Sequence, residues 1–416
     1  MSKTSNNKSS TAGSASCNRR EFLENSARNA AGLAAGTLSL GATRSPNERL
    51  QIGVIGLGSQ GLELAKSVAR NHNADVIAIC DVDVRILATA QHELGALQKH
   101  SPVIIPDYEA LVNRSDVDAV IVSTPDHWHS RMASDTLQAK KDLFLETPIA
   151  HSIAEGQKIA ELASQSRSIV QVGLPQRSGT HFQSAVKLIR SGYIGEVHLA
   201  KAWASHRRKS IGRCATSKPP VGVDYTRWLG PAPTRNFQAN RFHQTWSWFW
   251  DYGSGELGLW GVQQLDVIRW ALNLGLPSKV FAKGGKHSFK DDRETPDTLT
   301  VHYDYPEVEV VWEHRQWSNR GIEGRSSGVA FYGDSGTLII DRSGWKVYDH
   351  TEERFCDASE IKQTQVSNFL NAVRDRTEPV VGMAEGQASS IMCHLGNMAF
   401  QQGRELVFNA QTHTFS

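Results

Sequence analysis

A glycine-rich segment followed by an acidic residue is the part of this sequence most able to do chemistry. Gly56, Gly58 and Gly61 form a G-x-G-x-x-G pattern between the apolar run 51–55 and a segment with helical spacing. Asp81 ends a second apolar run, twenty residues beyond Gly61. Such glycines let the backbone approach a diphosphate, and the acid accepts hydrogen bonds from ribose hydroxyls. The spacing predicts a dinucleotide site made of Gly56, Leu57, Gly58, Ser59, Gln60, Gly61 and Asp81.

The charge of Asp81 bears on which nicotinamide dinucleotide is bound. A carboxylate repels the 2′-phosphate of NADP, so we expect NAD. Arg85 lies four residues further along and leaves NADP open. The alternative interpretation is a glycine-rich turn in a Rossmann domain that binds no dinucleotide.

Strand and helix patterns alternate through the first part of the chain, which is typical of a doubly wound parallel sheet. We therefore predict an α/β Rossmann domain over residues 50–175. The predicted strands are 51–55, 76–79, 119–123, 143–145 and 169–172, and the predicted helices are 62–71, 86–97, 131–139 and 153–164.

Strand-like runs continue after residue 195, mostly without helices between them. They predict an α+β domain over residues 176–416 with a large, mostly antiparallel, open-faced sheet. We expect helical patterns at 366–374 and 384–400 to pack back on the Rossmann domain. The strand-like runs are 197–203, 299–303, 308–313, 329–332 and 337–340.

The first 49 residues have a different composition. Residues 1–18 are rich in Ser, Asn, Thr and Lys, which predicts a disordered tail. Arg19 and Arg20 then precede Phe22, Leu23 and the mildly apolar stretch 30–42, a pattern that resembles a Tat export signal. We expect export to the periplasm or cell envelope, and a cytoplasmic protein if the arginine pair is there by chance.

Composition excludes several classes of protein. The net charge of +2 over 416 residues is too balanced for a nucleic-acid binder, which usually carries a basic face. The chain has no run of 18 apolar residues, so no transmembrane helix is expected. The five cysteines are far apart, which excludes the usual zinc spacings. Asp126, His127 and His129 have no third ligand at a useful spacing, so no metal is expected.

Further motifs appear in a fixed order along residues 50–410, and with them the chain resembles the Gfo/Idh/MocA oxidoreductases, particularly exported bacterial members. The resemblance implies a Rossmann domain joined to an open-faced sheet domain that often forms homo-oligomers. It also implies NAD or NADP, and sugars, cyclitols or their derivatives as substrates. The motifs are C-D-V-D at 80–83, T-P-D-H-W-H at 124–129, E-T-P at 146–148, V-G at 172–173 with Gln176 and Arg177, D-Y at 224–225 with W-L-G-P-A-P at 228–233, W-F-W-D-Y at 248–252 and C-H-L-G-N at 393–397.

The resemblance also implies where the nicotinamide lies. Two motifs of the family border it, and they place Thr124, Pro125, His129, Glu146 and Pro148 beside the ring. The family's catalytic Lys, Asp and His are substituted, because their positions hold Thr147, Leu259 and Gln263. The resemblance aligns the family's D-x-x-x-H-x-x-D stretch with residues 259–266, where only Asp266 is retained, and residues 251–270 contain no His.

The substitutions leave two interpretations open. In one, a shifted set of groups does the acid–base work, with Asp266, His129 and Glu146 as the catalytic candidates. Some family members use transient oxidation to cleave glycosidic bonds, which is a further alternative for such an enzyme. In the other, the chain binds NAD and a sugar without turning it over. Other titratable or phenolic groups near the expected cleft are His127, His243, Asp251, Tyr252 and Glu256.

Aromatic and polar residues in the motifs predict a carbohydrate-like ligand, since aromatic faces stack on the C–H surfaces of sugars. The alternative for the aromatic cluster at 246–252 is a core or an oligomer interface. We expect a homo-oligomer formed through the second-domain sheet. The expected substrate cleft contains Gln176, Arg177, Trp248, Trp250 and Gln263.

Overall fold

Parallel strands with helices on both faces build the first part of the fold. The computed structural model describes residues 49–350, 352–355, 359–409, 412 and 414–415. Six strands in this part of the chain form a parallel sheet in the order β3-β2-β1-β4-β5-β6. Their apolar runs are buried on both faces, as a helix-covered sheet requires. The strands are β1 Leu50–Ile55, β2 Ala74–Cys80, β3 Val103–Ile104, β4 Ala119–Val122, β5 Asp142–Leu145 and β6 Val170–Val172.

Five helices connect these strands, and most begin at a side-chain cap. Asp83, Asp107 and Ser152 each accept a backbone N–H from the first turn of the helix that follows. The first helix starts after Gly58 and has no side-chain cap. Its free N–H groups are therefore available to a ligand. The helices are α1 Ser59–Ala69, α2 Val84–Gln98, α3 Tyr108–Val112, α4 Asp126–Gln138 and α5 Ile153–Gln165.

A larger sheet forms the second part of the fold, as the sequence predicts. Ten described strands follow the order β14-β13-β12-β11-β7-β10-β9-β8-β15-β16, and β7 with β10 is the parallel pair among otherwise antiparallel ones. The strands are β7 Val197–Ala204, β8 Lys279–Gly285, β9 Thr298–Asp304, β10 Glu309–Arg315, β11 Ser327–Gly333, β12 Gly336–Asp341, β13 Gly344–Tyr348, β14 Glu353–Phe355, β15 Leu406–Asn409 and β16 Thr414–Phe415.

Helices cover one face of this sheet. Three of the five helices named below contact its strands: the first contacts β12 and β13, the third contacts β7 and β11, and the fifth contacts β8. Burial alternates along β8 and β9, so their other face is exposed, while formation of a homo-oligomer through it stays a prediction. Within the described residues, no helix is both long and apolar enough to span a bilayer. The helices are α6 Thr180–Arg190, α7 Tyr225–Leu229, α8 Val262–Leu272, α9 Ser359–Asp375 and α10 Met383–Gln402.

The chain returns to the first sheet near its C-terminal end. Phe369 of α9 meets Phe144 of β5 edge to face at 5.6 Å, and Val366 and Leu370 join the same buried cluster as β1. This packing brings Lys362 to the first domain. The contacts group the described residues into one compact unit, so the domain boundary at 175 stays a prediction. The predicted export signal lies outside the described residues.

Candidate functional site

A cleft of about 1400 Å³ lies at the C-terminal ends of the parallel strands and continues to the second domain. Open α/β sheets bind ligands at this edge, because the loops after the strands converge there. The glycine loop 56–60 and Asp81 line one end, and Trp248, Trp260 and Gln263 line the other.

The three glycines of the loop serve different needs. Gly56 has φ of 84°, and a Cβ there would lie 2.5 Å from the Ser123 carbonyl oxygen. A Cβ on Gly61 would lie 1.9 Å from the Gly56 carbonyl oxygen. A Cβ on Gly58 would meet no heavy atom of the described residues within 4 Å. The fold itself thus requires Gly56 and Gly61, whereas Gly58 leaves room for a ligand next to the uncapped start of α1, as a diphosphate needs.

Asp81 lies at the end of β2 within hydrogen-bond reach of this loop. Its Oδ2 accepts the Leu57 N–H at 2.8 Å and its Oδ1 accepts the Asp83 N–H at 3.1 Å. Burial raises the pKa of Asp81, and these two hydrogen bonds oppose that shift. Each carboxylate oxygen keeps a lone pair that can accept a ribose hydroxyl.

Arg85, the residue that could bind the 2′-phosphate of NADP, already forms an ion pair with Asp83. Its Nε and one terminal nitrogen donate to Asp83 at 3.0 and 2.7 Å. His243 Nε2 lies 2.9 Å from the same carboxylate. Although Asp83 is buried, the hydrogen bonds from Arg85 and His243 lower its pKa. A 2′-phosphate would have to compete with Asp83 for Arg85.

Replacing Asp81 with Asn tests its role in choosing the cofactor. We expect NAD affinity to fall on the order of tenfold, since a hydrogen bond to a charged group contributes about 1.5–3 kcal/mol. NADP affinity should fall less, because the repulsive charge is removed. Calorimetric titration of Asp81→Asn with both dinucleotides measures the ratio, and an unchanged preference for NAD would contradict this role.

Thr124, Pro125 and His129 line the same cleft, while their place beside the nicotinamide stays a prediction. The His129 ring is buried, with Nδ1 2.6 Å from the Pro148 carbonyl oxygen and Nε2 2.9 Å from that of Thr124. Burial lowers the pKa of His129 to about 4, so it is neutral at pH 7. Thr124 Oγ1 is buried and has no hydrogen-bond partner within the described chain. Pro148 lies behind His129 and is not among the described lining residues.

Glu146 lies in the cleft between the glycine loop and the second domain. Its carboxylate accepts the Gln60 side-chain amide at 3.0 Å and the Thr147 N–H at 3.2 Å. Burial raises the pKa of Glu146, while the charges of Lys362 and Arg342 act in the opposite direction. A Cβ on Gly173 would lie 2.5 Å from Glu146 Oε2, so that glycine makes space for the carboxylate.

The structure brings part of the predicted substrate cleft together. Trp248 and Gln263 line the cleft, and buried Gln176 donates to Gln263 Oε1 at 3.2 Å. Gln176, Arg177 and Trp250 are outside the described lining residues.

Asp266 also lies outside the described lining of the cleft. The Arg177 guanidinium donates to both its carboxylate oxygens, at 2.8 and 2.9 Å, and Ser389 Oγ donates at 2.9 Å. Asp266 is fully buried. This arrangement favours a structural ion pair, and a catalytic role for Asp266 stays a prediction that the geometry does not support.

Asp266→Asn distinguishes the two roles. It leaves the Arg177 charge buried and unpaired, so we expect a loss of about 3–5 kcal/mol in the free energy of unfolding. Urea unfolding followed by circular dichroism measures this loss, with Asp116→Asn, in an exposed ion pair with Arg114, as the control. A catalytic role alone would instead leave stability unchanged and abolish turnover.

The remaining titratable candidates have structural partners. Burial lowers the pKa of His127 to about 4, and its ring contacts the Trp228 carbonyl oxygen at 3.0 Å. Glu256 is buried between His206 and Arg208, whose hydrogen bonds and charge outweigh its burial and lower its pKa to about 2. Asp251 pairs with Arg235, and Tyr252 is fully buried.

Several cleft residues escaped the sequence analysis as site residues. Arg342 and Lys362 come from distant segments without a motif, so no sequence signal marks them. Arg208 and Trp260 also line the cleft and had signals, since Arg208 lies in the basic loop 206–209 and Trp260 in the family stretch 259–266. Asp126 lies inside the motif at 124–129, so the sequence did offer a signal that it belongs to the site. It lines the cleft, accepts the Ser254 hydroxyl at 2.6 Å, and burial raises its pKa to about 7.

Two family models match most of the chain. Residues 50–174 match the Gfo/Idh/MocA model described as the oxidoreductase family with an NAD-binding Rossmann fold. Residues 200–416 match the companion model, described as the C-terminal alpha/beta domain of the same oxidoreductase family.

Curated relatives match a smaller part of the chain. A glycosyl hydrolase family 109 protein 2 of a Shewanella species is 29% identical over 168 residues, covering 39% of this chain and 37% of the relative. An alpha-N-acetylgalactosaminidase of Shewanella oneidensis is 26% identical over 201 residues, covering 43% and 44%. The matches thus span less than half the length of these relatives.

Solved structures share the fold over nearly their whole length. A levoglucosan dehydrogenase in complex with NADH and levoglucosan has a TM-score of 0.67 and 15% identity, covering 86% of this chain and 99% of that one. An apo scyllo-inositol dehydrogenase from Lactobacillus casei has a TM-score of 0.63 and 18% identity, covering 86% and 98%.

Proposed function

The chain belongs to the Gfo/Idh/MocA oxidoreductase family, whose first domain binds NAD, and we propose that it oxidises or reduces a sugar or sugar derivative with an unusual set of catalytic residues. The observation that carries this proposal is the position of Glu146. Its buried carboxylate lies in the same cleft as the glycine loop and as the Trp248 and Gln263 side chains.

Glu146 is the group best placed to accept a proton. NAD, when bound, accepts a hydride from a carbinol carbon or returns one, and the hydroxyl proton must leave at the same time. Thr147, Leu259 and Gln263 cannot titrate near neutrality. Gln60 and the Thr147 N–H fix the orientation of the Glu146 carboxylate. NADP remains open as the cofactor.

A carbohydrate-like ligand is supported by the far end of the cleft. Trp248 and Trp260 add apolar surface to this part of the cleft, which can contact the C–H groups of a sugar, and Gln263 offers hydrogen bonds to hydroxyls. Levoglucosan, in the complex of a similar fold, and scyllo-inositol, in the name of another, are both polyhydroxylated rings.

Glycoside cleavage through transient oxidation is the second candidate. The relatives named as family 109 glycosyl hydrolases and as an alpha-N-acetylgalactosaminidase favour it. In that reaction, the hydride would return to the sugar within each cycle, and no net NADH would accumulate. A third candidate is a protein that binds NAD and sugar without turnover.

Three measurements on the purified chain separate these candidates. Mass spectrometry identifies any released nucleotide. Levoglucosan or scyllo-inositol with NAD should yield NADH for a dehydrogenase, whereas p-nitrophenyl N-acetyl-α-galactosaminide should yield p-nitrophenol without net NADH for a glycosidase. A shift in melting temperature with NAD, without either product across a wider sugar and glycoside panel, would contradict the proposed enzyme and support the binding protein.

Export through the Tat route is proposed on the sequence alone. The support is the pair Arg19 and Arg20 ahead of Phe22 and Leu23 and the apolar stretch 30–42. Tat substrates cross the membrane folded, which would allow the dinucleotide to travel in its site.

A further inference from the structure

Arg342 reaches the cleft from the turn between β12 and β13 of the second domain. Its side chain lines the cleft together with Gln263, Trp260 and Glu146. The sequence around it, Asp341-Arg342-Ser343-Gly344, carries no motif, so its position follows from the sheet alone.

The Arg342 guanidinium forms no ion pair within the described part of the chain. Four arginines line the cleft in the described part of the chain, and the other three form ion pairs with carboxylates. Those pairs are Arg85 with Asp83, Arg208 with Glu256, and Arg227 with Asp224. Arg342 has no carboxylate within ion-pair distance among the described residues, and its buried Nε has no hydrogen-bond partner there.

Neutral groups hold the Arg342 guanidinium in place. One terminal nitrogen donates to Gln263 Oε1 at 2.5 Å, and the guanidinium lies 4.9 Å from the centre of the Trp260 ring. Gln263 is in turn held by Gln176. A guanidinium on an aromatic face keeps its charge and its remaining donors free. It also lies within electrostatic range of Glu146.

We propose that Arg342 is a catalytic residue that stabilises the oxygen of the reacting hydroxyl, in place of the lysine that the resemblance expects at Thr147. This inference rests on the proposed oxidation or reduction at the same site. In the oxidative direction, the C–H bond breaks with hydride transfer to NAD, and the O–H bond breaks with proton transfer to Glu146. The C–O bond becomes C=O, and Arg342 donates to that oxygen throughout without changing its own protonation.

In this arrangement the cation, Arg342, and the base, Glu146, are separate groups, because one group cannot do both tasks. Arginine remains protonated at all working pH values, so it can stabilise an oxyanion but cannot accept the proton. Glu146 accepts the proton but would repel a developing negative charge. A fixed cation in a low-dielectric cleft offsets that repulsion, and removal of one such donor typically costs on the order of 10²–10³ in rate.

Arg342→Gln and Arg342→Lys test the proposal, with Arg320→Gln, an exposed arginine of the same domain, as the control. The rates are measured with levoglucosan and scyllo-inositol as substrates and NAD as cofactor, or with the p-nitrophenyl glycoside. We expect kcat to fall by ~10²–10³ in Arg342→Gln and by much less in Arg342→Lys, which keeps the charge. NAD affinity, measured by calorimetry, should stay within about twofold, as it would for loss of an interaction made only in the transition state.

A second readout does not depend on turnover. Infrared difference spectra of the Glu146 carboxyl, identified by subtraction of Glu146→Gln, give its titration midpoint in protein without substrate. Loss of the Arg342 charge should raise that midpoint, since Arg342 and Lys362 are the cations that face this carboxylate. Circular dichroism melting confirms that each variant is folded.

The outcomes separate this inference from the proposed function. If the wild type turns over none of these probes and none of the wider sugar and glycoside panel, both fail. If the wild type is active and Arg342→Gln is equally active with an unchanged Glu146 midpoint, only the role of Arg342 is overturned. If Arg342→Gln and Arg342→Lys lose activity equally while the midpoint stays fixed, the residue is structural, which also contradicts the proposal.

Discussion

Gly58→Asp is expected to weaken dinucleotide binding on the order of 100-fold and leave the stability of the fold unchanged. A Cβ at this position meets no described atom within 4 Å, and the backbone has φ of −57°, which any residue adopts. Aspartate is also a favourable N-cap for α1. The same carboxylate would stand where the diphosphate must approach the helix start. We expect the Kd for NAD to rise by on the order of 100-fold, or about 2.8 kcal/mol, by calorimetry.

The control for this variant is Gly275→Asp, which also adds a carboxylate at an open, exposed glycine away from the cleft. It should leave both the melting temperature and the Kd unchanged. Gly61→Ala would be less informative, because its Cβ would clash with the Gly56 carbonyl oxygen. A loss of NAD binding in that variant could then result from misfolding. A Gly58→Asp protein that melts normally and still binds NAD would remove the glycine loop from the site.

Glu146→Gln is expected to reduce kcat by on the order of 10²–10⁴, the usual cost of losing a positioned base. Glutamine is nearly isosteric with glutamate and fits the space that Gly173 leaves. It keeps an acceptor for the Thr147 N–H but cannot take up a proton. Steady-state rates on levoglucosan, scyllo-inositol or the p-nitrophenyl glycoside measure the effect, with Glu109→Gln at the exposed mouth of the cleft as the control.

The pH dependence of the wild type checks the same assignment. A base works only when deprotonated, so activity in the oxidative direction should rise with pH through the pKa of Glu146. Because burial raises that pKa, the acid limb should lie above the ordinary glutamate value of about 4.3. An unaltered rate and profile in Glu146→Gln would exclude Glu146 as the proton acceptor.

The fold of the first domain was predictable because its signals are local. The buried strands are continuous apolar runs, and the predicted strand 119–123 differs from β4 by one residue. The two-residue strand β3 escaped prediction because two residues carry no periodicity. The helix α8 escaped because a five-residue π-helical turn, Leu257–Gly261, precedes it and breaks the 3.6-residue spacing.

The second sheet was predictable in class but not in strand order. The runs at 299–303 and 308–313 were recognised and pair as β9 with β10. The parallel pairing of β7 with β10 joins segments more than a hundred residues apart, and no local pattern specifies such a partner. The return of α9 to the first domain was expected in outline, whereas the approach of Lys362 to Gln60 at 2.9 Å was not predictable.

The sequence by itself determined the dinucleotide-binding part of the cleft. The glycines, the helix start and Asp81 lie within one continuous segment, and their spacing along the chain sets its geometry. Only the tertiary structure decided the other end. It paired Asp266 with Arg177 away from the cleft and placed Arg342 beside Gln263, because packing between distant segments sets which charges are neutralised and which remain free. The sequence specifies the chemistry of each side chain, whereas the fold determines which groups that side chain contacts.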